Sequence, residues 1–124
     1  MVRIAITTLL LMLTAAPAAV AASKAEQLYE RALVRERAVR NVLARGNPDR
    51  GLIAKARPVI ASYERIVRLY PRSGYCDNAL WQAAELAADL WRTFGDEQDR
   101  KTADRLYKWL VREYPHSGLV VQAR

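Results

Sequence analysis

One segment of this chain is written twice. Residues 63–79 read YERIVRLYPRSGYCDNA and residues 107–123 read YKWLVREYPHSGLVVQA. The copies lie 44 residues apart and align without a gap through Tyr, Val, Arg, Tyr-Pro, Ser-Gly and Ala. Recurrence over such a period, with apolar residues at helical spacing inside the copy, marks a helical repeat, in which one unit buries its apolar face only by stacking on the next. The chain is therefore expected to be all-α, with antiparallel helical hairpins stacked on one another. Stacked arrays of this kind present extended surfaces, so the first expectation is a scaffold rather than a catalyst.

The N-terminus carries a second signal. Met1-Val2-Arg3 gives a short positive start, Ile4 to Leu13 is an apolar run, and Ala19-Val20-Ala21 or Val20-Ala21-Ala22 offers a small-residue cleavage site. Residues 1–22 read as a cleaved secretory signal, which places the mature chain in the periplasm or cell envelope. Thr7, Thr8, Thr14 and Pro17 argue against an uncleaved anchor. On this reading the membrane is met only through the signal segment before cleavage.

Charge is uneven along the chain. Formal net charge is +7. Between Lys24 and Arg72 there are 12 basic and 5 acidic residues, whereas 7 basic and 8 acidic residues follow from Ser73 to Arg124. In an exported protein a basic first half points to an anionic wall polymer, lipid head groups or an acidic partner, and nucleic acid is not an expected partner. Arginines on surface helices also pair with Glu at helical spacing, and that solvated-face reading explains many of them. Cys76 stands alone; it forms no internal disulfide and is read as a small core residue.

Four helices and the start of a fifth follow from periodicity. Ser23-Lys24-Ala25-Glu26 reads as a capping box that opens the first, whose stripe includes Ala25, Leu28, Tyr29, Ala32, Val39, Val42 and Leu43. Gly46-Asn47-Pro48 closes it. A second helix from about Asp49 to Leu69 keeps its phase across Pro58 and is read as one helix rather than two. The third, about Tyr75 to Phe94, carries an alanine-rich face that lets a neighbour approach closely and stops at Gly95. Asp96 to Lys101 reads as a charged loop, a fourth helix runs from about Asp99 or Thr102 to Tyr114, and a fifth starts at Leu119.

These residues resemble tetratricopeptide repeats, helical hairpins of about 34 residues with Ala and aromatic positions on the second helix and a Pro closing the turn. Ala103, Tyr107 and Pro115 match those three positions, and Tyr63 and Pro71 match two of them; Val59 stands where Ala is usual. The longer spacing of 44 is attributed to an extended third helix and the Asp96 to Lys101 loop. The run from Tyr70 to Trp81, with Phe94-Gly95-Asp96 and Tyr114-Pro115, is similar to the repeat region that precedes the amidase-N-terminal and zinc-amidase domains of certain exported bacterial N-acetylmuramoyl-L-alanine amidases. More loosely it resembles repeats of outer-membrane assembly lipoproteins and of Tol-Pal coordinators. The resemblance implies an envelope protein or peptidoglycan as partner, the chain from residue 23 on being the N-terminal part of a longer protein.

No catalytic residue and no cofactor are assigned. A zinc amidase needs several His and Glu ligands around an open metal position, and this chain has one histidine, His116, in a turn. Aromatic residues are the remaining candidates. Tyr63, Tyr70, Trp91, Tyr107 and Tyr114 fall on the core stripes, whereas Trp81 and Trp109 fall off them and are candidates for a partner surface. In tetratricopeptide hairpins the first helices of successive repeats line the binding face, so Gln82, Glu85 and Asp89 join Trp81 in the expected partner-binding set.

Overall fold

The computed structural model describes residues 17–124, in which five helices and no strand are formed. They are α1 (Pro17–Ala44), α2 (Leu52–Leu69), α3 (Cys76–Phe94), α4 (Glu97–Glu113) and α5 (Val120–Ala123). Helices α1 and α2 make one hairpin, α3 and α4 a second, and α3 packs between α2 and α4 while α5 leans on α4. The chain is thus an all-α helical repeat. Residues 1–16, where most of the expected signal segment lies, are outside the described residues. Among the described residues no helix is long and apolar enough to cross a membrane.

Both copies of the sequence repeat close with the same hydrogen bonds. In the first, the amides of Tyr70 and Ser73 donate to the carbonyls of Ile66 and Tyr70 at 2.8 and 2.9 Å. In the second, the amides of Tyr114 and Ser117 donate to Leu110 and Tyr114 at 2.9 and 3.0 Å. Each serine hydroxyl then accepts from the amide two residues on, Tyr75 and Leu119, at 3.2 Å. Tyr-Pro-x-Ser-Gly is therefore a hydrogen-bonded link that ends one helix, where Pro cannot continue the amide ladder, and aims the next.

Helix α3 supplies the centre of the core. Ala79, Ala83, Ala84 and Ala87 are fully buried with Leu80, Leu86 and Leu90. Tyr63 and Ile66 meet them from α2, and Leu106 and Leu110 from α4. Being covered on several sides, α3 buries a wider arc than one amphipathic stripe. The buried Cys76 thiol donates to the Tyr70 carbonyl at 3.0 Å, and burial raises its pKa.

Three expectations are corrected. Helix α1 runs unbroken from Pro17, so Ser23 lies within it and no cap opens the helix there. Asp96 to Lys101 is not a loop: Gly95 ends α3 with φ 76°, Asp96 follows in extended backbone, and α4 starts at Glu97. Two long helices and a two-residue link, not an extra loop, lengthen the period. Trp91 is 40 % exposed, while Trp81 and Trp109 are half-buried against the core. Trp91 sits one turn from the end of α3, after the buried Ala87 and Ala88. Helix α2 passes through Pro58 uninterrupted, and the Ser62 hydroxyl donates to the Pro58 carbonyl at 2.8 Å.

Candidate functional site

Trp81, Gln82, Glu85 and Asp89 share one side of α3, since residues three, four and seven apart on a helix are neighbours. The structure joins each to a flanking helix. The Trp81 ring meets Tyr107 of α4 edge-on, with centroids 5.7 Å apart. Glu85 accepts a hydrogen bond from the Tyr107 hydroxyl. Gln82 faces the Tyr29 phenol of α1, and its amide opposes the upward pKa shift that burial gives that phenol. Asp89 accepts from Arg40 of α1 at 2.6 Å and from Arg92 one turn along α3.

Trp109 is not part of this group. Two positions from Tyr107 on α4, it points to the opposite side of that helix, where the Arg68 guanidinium lies 5.7 Å over its ring. His116 is exposed in the last turn. Among the described residues no group of three or more His, Cys, Asp or Glu side chains is placed to hold a metal ion.

Contributions from α1 were not identified from sequence. Tyr29 stands between two other phenols, its ring 5.7 Å from Tyr63 and 5.0 Å from Tyr75. Buried Glu36 accepts from the Tyr63 hydroxyl at 2.5 Å and from Arg40 Nε at 2.6 Å. Arg40 continues to Asp89, so a single polar chain crosses α2, α1 and α3. Burial first, then the Glu36 carboxylate, pushes the Tyr63 phenol well above its ordinary pKa. Burial, then the Glu85 carboxylate, raises the Tyr107 phenol.

The two Tyr–Glu pairs are equivalent. The tyrosines are 44 residues apart and the glutamates 49, a difference of five that equals the difference between the links 45–51 and 95–96. Tyr63 is fully buried, however, whereas Tyr107 is half-exposed. The first pair is sealed by α3. The second stands at the surface beside Trp81, with a groove of about 400 Å³ between Tyr107, Val111 and Ala123.

A second ionic group binds the hairpins on their other side. Arg57 holds buried Asp99 through two bonds of 3.0 and 2.9 Å, and Arg50 holds Asp96 at 2.8 and 3.0 Å. Arg105 bridges α4 to Glu64 of α2 at 2.7 Å. Compared with known proteins, the chain matches no family model, no curated protein and no solved structure at a significant level.

Proposed function

We propose that this chain is a non-catalytic, tetratricopeptide-like interaction module of an exported cell-envelope protein, in the setting of a peptidoglycan N-acetylmuramoyl-L-alanine amidase. The observation that carries the reading is the α3 strip, where Trp81, Gln82 and Glu85 remain partly open and Tyr107 of α4 holds Trp81 and Glu85. A half-buried indole beside an amide and a carboxylate offers an apolar plate with polar edges. Such a surface suits a sugar ring or an extended peptide, and fixed side chains lose little entropy on binding.

Peptidoglycan fragments titrated into the full-length chain test this. Trp81→Ala should weaken binding by about 1–3 kcal/mol, as hot-spot aromatics do. Gln82→Ala provides a variant with less packing at stake and should weaken it in the same direction. Tyr107→Ala should instead lower the melting temperature strongly. If Trp81→Ala melts the domain as far as Tyr107→Ala while Gln82→Ala leaves binding untouched, the α3 strip is core and not a binding face.

A rival reading is a stand-alone adaptor of an outer-membrane assembly or Tol-Pal-like complex, favoured by the same repeat resemblance. The coding sequence beyond Arg124 separates the two, because an amidase requires a downstream domain rich in His and Glu ligands.

A further inference from the structure

The edge of the first hairpin away from α3 is uncovered. Val34 on α1 is 64 % exposed, and on α2 Ala54, Lys55, Pro58, Ala61 and Arg65 are all exposed. A shallow groove of about 270 Å³ opens here between Ala38 and Val42 of α1 and Leu52 and Val59 of α2, flanked by Arg35 and Lys55. Among the described residues neither Lys55 nor Arg65 has a carboxylate within ion-pair distance. Glu64, the one acid of α2, is bonded to Arg68 and Arg105 instead.

The second hairpin shows what occupies such an edge. There, α2 lies along α3 and reaches α4 through Arg57 on Asp99, Glu64 on Arg105 and Arg68 over Trp109. Shifted back by 44 residues, Asp99, Arg105 and Trp109 become Lys55, Ala61 and Arg65. Shifted by the 49 residues that relate the two glutamates, Ala83, fully buried, becomes Val34. Two of the positions that α2 contacts thus carry a cation on this edge: Lys55 stands where Arg57 finds an acid and Arg65 where Arg68 finds an indole, while on α1 Arg31, Arg37 and Asn41 take the places of Leu80, Leu86 and Leu90.

We infer that this α1–α2 edge docks an acidic amphipathic helix of another protein, lying on it as α2 lies on the second hairpin. Its first carboxylate takes the place of Arg57 and faces Lys55. A second, eleven residues later and so on the same helix face, takes the place of Arg68 and faces Arg65. Apolar residues between them, at the places of Ile60 and Val67, cover the groove and Val34. A second copy of this chain does not fit, because its α4 would bring Lys101 and Arg112 to those two places, against like charge. Nor does the segment 1–16 fit, since it holds no carboxylate.

The probe is a peptide of residues 52–69 carrying Arg57→Glu and Arg68→Glu, made helical by a staple on its outer face, with the unaltered stapled peptide as control. Fluorescence anisotropy against the full-length chain should show the acidic peptide binding at least tenfold tighter. The protein variant Lys55→Glu with Arg65→Glu, changed only at exposed positions and checked for unaltered helicity, should reverse that order. Trp81→Ala should leave peptide binding unchanged, so failure here is distinct from failure of the α3 strip. Equal affinity for the two peptides, no binding of either, or a preference that persists in the charge-reversed protein overturns the assignment. So does wild-type binding to phosphatidylglycerol vesicles that the charge-reversed variant loses, if no peptide binds.

Discussion

The Tyr63 hydroxyl donates to Glu36 Oε2 at 2.5 Å across the seam between α1 and α2. Both residues are essentially sealed from solvent. A carboxylate is expensive to bury unless its oxygens are paired, and here the second oxygen is held by Arg40. Because Arg40 also holds Asp89, the pair does more than anchor one hairpin. Through Arg40 it ties α3 at Asp89 to the same polar chain as α1 and α2.

Removing that hydroxyl should therefore be costly. Tyr63→Phe keeps the ring and its packing but leaves one buried carboxylate oxygen without its donor. A hydrogen bond to a charged group is worth about 1.5–3 kcal/mol, and that loss is expected in urea denaturation with little change of slope. Tyr107→Phe should cost less, under about 1 kcal/mol, because water reaches the half-exposed Glu85. Equal losses at the two sites would mean that the sealing of the first pair carries no energetic weight.

The same phenol sets the alkaline limit. Burial and the adjacent carboxylate raise the pKa of Tyr63 in the folded protein above its unfolded value of about 10. Its contribution is fully present below that value and is lost as pH rises toward the folded pKa, the folded state holding a proton that the unfolded chain has released. Stability should be level up to about pH 10 and then fall by about 1.4 kcal/mol per pH unit for this one group. Tyr107 and Tyr114, raised likewise, steepen the fall. Denaturation midpoints measured between neutral and strongly alkaline pH, compared with Tyr63→Phe, check it: the variant should fall less steeply.

Two arginines from the first hairpin make similar-looking bonds of unequal consequence. Arg57 pairs with Asp99, whose side chain is almost wholly buried, while Arg50 pairs with Asp96 at the surface. Arg57→Ala strands a buried carboxylate and should cost about 2–3 kcal/mol. Arg50→Ala should cost clearly less, because water screens a surface pair, although Arg50 lowers the pKa of Asp96. High salt should diminish the Arg50 effect and leave most of the Arg57 effect.

Much of the architecture was legible because turn residues and apolar periodicity act locally. The Tyr-Pro-x-Ser-Gly link, the passage of α2 through Pro58 and the stop at Gly95 are each decided within a few residues. The start of α4 was not legible, because Asp96 to Lys101 is polar and charged and carries no apolar spacing to mark a helix. The burial of Trp81, Trp91 and Trp109 differs from expectation for a tertiary reason: one amphipathic stripe predicts burial for a helix touching one neighbour, whereas α3 packs between α2 and α4, and Trp109 of α4 is covered by Arg68 of α2. The glutamate partners of Tyr63 and Tyr107 were hidden by a link five residues longer in the first hairpin, which throws the α1 to α3 register off the 44-residue period. Of the candidate site, the stripe from Trp81 to Asp89 was readable; its bonds to α1 were not.

The glycines separate what the repeat displays from what the backbone requires. Gly118 belongs to the duplicated Ser-Gly pair, the most conspicuous match in the sequence, yet a methyl group there would meet nothing within 4 Å and its φ is not left-handed. Gly95 occurs once. Its φ of 76° and ψ of 10° are left-handed, and its amide donates to the Trp91 carbonyl at 2.8 Å to end α3. Gly118→Ala should therefore be neutral or should stabilise by about 0.4–1 kcal/mol, by restricting the unfolded chain. Gly95→Ala should destabilise by about 1–2 kcal/mol, the cost of placing a β-carbon in that conformation. Thermal melts of the two single variants settle the matter, and a Gly118→Ala loss as large as that of Gly95→Ala would show that the Ser-Gly link needs its glycine for a reason other than backbone geometry.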